Sequence, residues 1–260
     1  MIDLHLHVLP HVDDGARDCE ESEAMLTYWS DLGFTRLVST PHLMRELDTN
    51  YHDTVLRAFD SIRDVAVASG IELQTGFEVL LRPGLAAELD AGAPLGLGPS
   101  RSILIELPFA QWPTFTETSI FDIQAVGFRP ILAHPERYEA VQREIGLVER
   151  LAERGVVLQV THASLAGVFG RAAQRTAEAL ITLDAHVVIG SDAHSTGDRL
   201  TSVGRGLDRA IALVGDQRAR QMTWELAKAL LDDEDLPDPM NAVSMRRRER
   251  RLGRLLNRGN

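Results

Sequence analysis

Cysteine is almost missing from this chain: Cys19 is the only one in 260 residues. That excludes a disulfide framework and a thiolate zinc site, and it fits a reducing compartment. No Cys-x5-Arg phosphate loop surrounds Cys19, so it is not expected to be a phosphatase nucleophile. No run approaches the ~18 apolar residues of a membrane span. The opening Met1-Ile2-Asp3-Leu4-His5 has neither a basic leader nor an apolar segment, so a signal peptide is not expected and the cytoplasm is. A Gly-x-Gly-x-x-Gly after a strand, a Walker loop and a Gly-x-Ser-x-Gly elbow are all lacking, which removes the main support for dinucleotide, ATP and serine-hydrolase chemistry. Lysine is reduced to Lys228, in a late helical stretch, which argues against an amidohydrolase built on a carboxylated lysine.

What remains is an ordinary globular composition, 44% hydrophobic and 25% charged. The length suits one α/β barrel of roughly 200–250 residues. The net charge of −11 is uneven. From Arg246 onward the chain carries seven Arg and one Glu, so the residues before it sum to −17. Such an acidic body is a poor partner for nucleic acid. Its carboxylates are either solvated surface or buried beside cations that neutralise them. The acidic, proline-bearing Asp232–Pro239 marks an expected boundary between a barrel over 1–231 and a linker with an Arg-rich tail over 232–260.

Seven short runs rich in Val, Ile and Leu read as strands buried on both faces: Ile2–His7, Arg36–Thr40, Glu72–Glu78, Ser102–Leu107, Pro130–His134, Val156–Thr161 and Val187–Ser191. Helical patterns alternate with them. Asp18 with Glu21 forms a capping-box-like start, followed by Met25, Tyr28, Trp29 and Leu32 at helical spacing up to Gly33. Similar stretches precede Gly70 and Gly155, and others cover Arg171–Leu183, Leu200–Val214 and Gln217–Leu231. Alternation implies a parallel sheet, and seven units imply a barrel distorted or open at one seam, ahead of a doubly wound sheet.

The polar residues cluster by position. His5 and His7 lie on the first run, His42 follows the second, Glu78 ends the third, Glu106 lies in the fourth, His134 ends the fifth, and Asp192 and His194 follow the seventh. In parallel barrels the strand C-termini share one mouth, so these residues converge there. His5 and His7, two apart on a strand, face the same side. An unpaired Glu106 among Ile and Leu would cost several kcal/mol, so it needs a cation or a basic partner. Imidazole plus carboxylate suits Zn, Mn, Fe or Ni. His186, at the opposite end, reads as structural, and His52 as an exposed loop residue. His11 and His162, near the mouth, read as bystanders that face substrate or support the ligands at best.

The motifs Ile2-Asp3-Leu4-His5-Leu6-His7, Val12-Asp13-Asp14-Gly15, Thr40-Pro41-His42, Gly76-Phe77-Glu78, Ile105-Glu106, His134-Pro135-Glu136-Arg137-Tyr138 and Ser191-Asp192-Ala193-His194 together resemble those of PHP-domain (polymerase and histidinol phosphatase) proteins. The similarity spans about 1–230 and is strongest to the bacterial PHP-type tyrosine-protein phosphatases of capsule and exopolysaccharide clusters. It implies a distorted (β/α)7 barrel with three divalent ions, usually manganese, with Fe, Zn or Co as substitutes. The resemblance assigns His5, His7, Glu78 and Asp192 to one ion, Glu78, Glu106 and His134 to a second, and Asp14, His42 and His194 to the third. It assigns Arg137 and Arg199 to phosphate binding. It also implies a phosphotyrosine substrate on the C-terminal tail of a bacterial tyrosine kinase; a small phosphomonoester such as histidinol phosphate is the alternative. His11, Leu43 and His162 depart from the family's usual residues.

Four carboxylates against three dications leave such a site at about +2, suited to a phosphate dianion, whereas without cations the carboxylates would raise one another's pKa. The expected reaction is in-line attack of a metal-bridging hydroxide on phosphorus, with both arginines neutralising the phosphoryl oxygens.

Overall fold

The computed structural model describes residues 1–239. The Arg-rich tail expected from Arg246 lies outside them. Nine strands among the described residues follow the order β1 (Ile2–Leu6), β2 (Arg36–Ser39), β3 (His42–Leu43), β4 (Glu72–Thr75), β5 (Glu78–Leu80), β6 (Ser102–Glu106), β7 (Arg129–Ala133), β8 (Val157–Thr161) and β9 (Val187–Gly190). All the pairings between them are parallel, in a three-stranded sheet β1-β2-β4 and a six-stranded sheet β3-β5-β6-β7-β8-β9. Leu6 bridges Ala193, and Asp192 N–H donates to the His5 carbonyl, so β1 lies beside β9 and the ring comes round on itself.

The seven expected strands become nine: beyond the second run, past Thr40-Pro41, the chain adds a short β3, and Gly76-Phe77 splits the third run into β4 and β5. Proline at 41 cannot donate a ladder hydrogen bond. At Gly76 the Leu95–Ser100 turn presses in, and a Cβ there would meet the Gly96 carbonyl at 2.8 Å. That turn donates to both flanking strands (Gly98 N–H to the Thr75 carbonyl, Leu97 N–H to the Ser102 carbonyl) and opens the seam between β4 and β6. The breaks carry His42 and Glu78 past the kink into the mouth.

Alternation along the strands divides the interior. Leu104, Ile131, Val157 and Val188 form an apolar floor with Ile2, Leu4 and Val38, closed from below by Leu226–Leu231. The opposite faces, Ile103, Ile105, Leu132, Leu158, Val160, Val187 and Ile189, pack against the surrounding helices. Above the floor the inward positions turn polar. The register of β1 slips between Asp3 and Leu6, an irregularity of the kind that re-aims side chains beside active sites; Leu4 joins the floor while His5 reaches the mouth.

The helix Cys19–Asp31 starts as its capping pattern predicts, with Glu21 N–H donating to the Asp18 carboxylate at 2.8 Å. Thr116–Ala125 is a helix that the sequence pattern did not announce. Gln217–Leu231, read as one helix, contains a π-turn at Gln221–Glu225. His52 falls in the first turns of the helix Thr49–Ala68, partly buried, rather than in a loop. The acidic stretch read as a linker is tied down: Asp232 pairs with Arg36 at 2.8 Å, Asp233 accepts from Arg101 N–H at 2.9 Å, and the Pro237 carbonyl meets His186 Nε2 at 3.1 Å. No helix among the described residues is long and apolar enough to cross a membrane.

Candidate metal centre

The residues singled out at the strand ends meet in one place. His5 Nε2 lies 3.1 Å from Glu78 Oε2 and 3.3 Å from Asp192 Oδ1. His7 Nε2 lies 3.3 Å from the same Glu78 oxygen and 3.3 Å from His5 Nε2. His42 Nδ1 is 3.0 Å from Glu78 Oε2 and 3.9 Å from Glu106 Oε2. His134 Nε2 is 2.7 Å from Glu78 Oε1 and 3.7 Å from Glu106 Oε1. Asp14 Oδ1 is 3.4 Å from His42 Nε2 and 3.3 Å from His194 Nε2.

Three groups have donor atoms mutually within 4.8 Å: His5, His7, Glu78 and Asp192; His7, Asp14, His42 and His194; and His42, Glu78 and Glu106. The first matches the expected quartet. In the second, His7 joins the expected trio. In the third, His42 stands where His134 was expected, although His134 reaches both carboxylates.

Hydrogen-bond accounting tests whether cations fit. His5 Nδ1 meets the Gln159 side-chain oxygen at 2.8 Å, and His7 Nδ1 meets Asp13 Oδ2 at 2.7 Å. Both partners are acceptors; Gln159 is oriented by its other bonds, accepting from His134 N–H and donating to the Val160 carbonyl. Each imidazole therefore carries its proton on Nδ1 and presents a lone pair from Nε2. These two lone pairs point at each other and at carboxylate oxygens. Glu78 Oε2, crowded by three imidazoles, is buried without a hydrogen-bond partner. Acceptors facing acceptors in a buried pocket are what divalent cations bridge.

Without cations the same crowding draws second protons onto His5 and His7, positive charge that a bound cation would replace. Burial opposes a charged Glu78, yet His5, His134 and His42 outweigh it and hold the carboxyl well below its usual range. Burial and the Glu78 charge push Glu106 up. Burial disfavours protonated His7, but Asp13 and Glu78 raise it to about 10. His194 goes the other way, down to about 4, through burial and the neighbouring His7. The imidazoles of His7 and His194 stack at 3.8 Å.

The two arginines meet on Asp192. Oδ1 of this carboxylate faces His5, while Oδ2 accepts from Arg137 and, at 3.1 Å, from Arg199. Arg137 is seated between two rings, its guanidinium carbon 4.6 Å from the Phe109 centroid and 4.4 Å from that of Phe169. Two of the converging residues have left-handed backbones, His134 at φ 33° and Asp192 at φ 52°, conformations that carry strain in non-glycine residues and concentrate at functional sites.

Asp13 and Gln159 were not singled out in the sequence, yet they set the tautomers of His7 and His5. A glutamine within the otherwise apolar Val156–Thr161 was the available signal. Asp3 is a further buried carboxylate; it accepts from Ser191 N–H and Trp29 Nε1 and so steadies the turn that bears Asp192. Glu136 accepts from both Thr161 N–H and its hydroxyl at 2.9 Å, tying the ends of β7 and β8. His162 does not face the mouth. It is fully buried and edge-on to Phe34, and neither ring nitrogen has a hydrogen-bond partner among the described residues. His11 is exposed, with φ 58°.

Comparison with known proteins adds the following. The family described as capsular polysaccharide synthesis, CpsB/CapC, matches residues 1–232. The tyrosine-protein phosphatase YwqE of Bacillus subtilis is 33% identical over 203 residues, 76% of this chain and 79% of the relative. The tyrosine-protein phosphatase CpsB of Streptococcus pneumoniae is 26% identical over 241 residues, 90% of this chain and 99% of the relative. A chain from the crystal structures of YwqE and CpsB, described as unique metal-dependent tyrosine phosphatases, superposes with a TM-score of 0.84 at 28% identity, covering 93% of this chain and all of that one.

Proposed function

The chain belongs to the CpsB/CapC family of capsular polysaccharide synthesis, and on that footing we propose that it is a metal-dependent tyrosine-protein phosphatase. Its substrates are phosphotyrosine-bearing proteins. The substrate we assign is the C-terminal tail of a bacterial tyrosine kinase of polysaccharide synthesis, which puts the enzyme in the cytoplasm. The catalytic unit we assign to 1–231, with 232–260 as an appendage.

One observation supports this reading best: the carboxylate of Asp192 gives one oxygen to the imidazole cluster and the other to two arginines. The imidazole–carboxylate cluster and the arginine pair share a residue, so a phosphoryl group held by Arg137 and Arg199 would lie beside cations held by the cluster. We assign three divalent ions, manganese first, then Fe, Zn or Co. His5, His7, Glu78 and Asp192 would hold one; Glu78, Glu106 and His134, with His42 in reach, a second; Asp14, His42 and His194 the third. When bound, such ions supply Lewis acidity toward water and toward phosphoryl oxygens.

The chain's own residues do the rest. Gln159 and Asp13 keep the protons of His5 and His7 on Nδ1, so that the Nε2 lone pairs stay available. Arg137 and Arg199 present planar donor forks to the phosphoryl oxygens, where charge spreads in a loose transition state. Their stacking on Phe109 and Phe169 limits the rotamers lost on binding. The tyrosyl leaving group, with a parent pKa of about 10, needs less protonation than an alkoxide.

The test is to strip the protein with chelator, restore Mn, Co, Zn, Fe or Mg separately, and assay a phosphotyrosine peptide beside histidinol phosphate. Restored turnover of the peptide, above that of histidinol phosphate, is expected. Preference for histidinol phosphate under every metal would favour the small-metabolite alternative.

A further inference from the structure

Phe109 is a large apolar side chain left 40% exposed beside the most charged part of the molecule. A single exposed phenylalanine needs no explanation by itself; its surroundings do. It lies on the loop between β6 and the helix Thr116–Ala125, and its backbone is fixed, because Glu139 N–H donates to the Phe109 carbonyl at 3.0 Å. The ring stacks on the imidazole of His134, centroids 5.4 Å apart and planes 24° apart. It also carries the Arg137 guanidinium at 4.6 Å. Phe109 thus touches one residue of the imidazole–carboxylate cluster and one arginine of the phosphate clamp, leans on the Tyr138 ring at 5.8 Å, and leaves the rest of its surface to solvent.

A phosphoryl group held by Arg137 would bring the group it carries within reach of this surface, since the guanidinium itself lies on the Phe109 ring. An aryl ester presents a flat apolar ring one oxygen from phosphorus; an alkyl ester presents a narrow chain. Rings gain from offset or edge contact with another ring beyond the area they bury. Phe169, the other ring on Arg137, also lies near Arg199, 5.4 Å from its guanidinium carbon, and so frames the clamp rather than the cluster. We propose that Phe109 is the surface on which the aromatic ring of the substrate rests, and that it sets the preference for aryl over alkyl phosphate esters. This specificity role rests on the phosphatase reading, and it assigns the choice of leaving group to a side chain outside the imidazole–carboxylate cluster.

The experiment uses the full-length, metal-loaded protein and two non-hydrolysable probes, phenylphosphonate and methylphosphonate, with binding measured by calorimetry. The wild type is expected to prefer phenylphosphonate. Phe109→Leu keeps an apolar cover over His134 but removes the ring, and it should lower the phenyl-to-methyl affinity ratio by roughly 3- to 10-fold. Phe109→Tyr should restore the ratio. Metal content of each variant, measured by elemental analysis, shows whether the cluster survives. A ratio unchanged in Phe109→Leu overturns the proposal, as does an equal fall for both probes, which would mean that Phe109 acts through His134 or Arg137. The phosphatase reading fails separately, if no metal supports turnover of a phosphotyrosine peptide by the wild type.

Discussion

His162→Leu should make the protein more stable in acid, and the structure gives the size of the effect. The imidazole is fully buried, no ionic partner offsets its desolvation, and burial lowers its pKa to about 4 from an ordinary 6.5. Between those values the unfolded chain binds a proton that the native chain refuses. The neutral imidazole's contribution is fully present above pH 6.5 and is lost as the pH falls toward 4. The loss from this one group is about 2 kcal/mol at pH 5 and about 3 kcal/mol at pH 4, using ~1.4 kcal/mol per pKa unit. Leucine has a similar volume and no proton to bind, and it also removes two ring nitrogens that lack partners. The assay is thermal or urea unfolding of metal-free wild type and variant from pH 8 to pH 4.5. Other titrating groups cancel in the difference. The gap should widen by about 2 kcal/mol between pH 8 and pH 5, or roughly 4–8 °C in Tm for a chain of this size. Parallel pH profiles would refute the reasoning, since they would mean that His162 is protonated in the native state or reaches solvent.

Further outcomes follow from the same contacts. Gln159→Leu removes the acceptor of His5 Nδ1 and should weaken metal binding by about 10–100-fold, read by chelator competition, while the fold persists. Arg137→Ala should lower kcat/KM on a phosphotyrosine peptide by roughly 10²–10³, and Arg137→Lys should recover only part of that, because an ammonium supplies neither the fork nor the flat stack between Phe109 and Phe169. Leu230→Ala, in the apolar floor below the polar layer, should cost about 2–5 kcal/mol in urea unfolding, with metal affinity kept because none of the converging side chains moves with it.

Most strands were legible because burial on both faces leaves uninterrupted Val, Ile and Leu, although β4, at the seam, is only half-buried and not covered on both faces as expected; the mouth was legible because histidines and acids sit at the same end of them. What escaped depends on contacts between distant segments. The break at Gly76-Phe77 turns on the Leu95–Ser100 turn pressing against Gly76. The helix Thr116–Ala125, rich in Thr and β-branched residues, has weak intrinsic propensity and forms because Ile120 and Ile123 are buried. Asp13 and Gln159 serve histidines on other segments, a relation with no spacing to read. His162 holds a strand-end position like the others, but the helix Val203–Val214 crosses over it; Gly206 makes this possible, since a Cβ there would come within 2.4 Å of the His162 carbonyl. Position along a strand told which residues reach the mouth level, and packing decided which of them meet solvent.

The cluster also has a depth. The side chains of His5, His7 and Glu78 are sealed and that of Asp192 nearly so, while Asp14 stands 70% exposed at the rim. Ions at these positions would lie at unequal depths: one held by His5, His7, Glu78 and Asp192 would be shut away from water, and one held by Asp14, His42 and His194 would meet it. The outer ion should exchange faster, so a protein purified with a partial complement should keep the deep ion and lack the one at the rim.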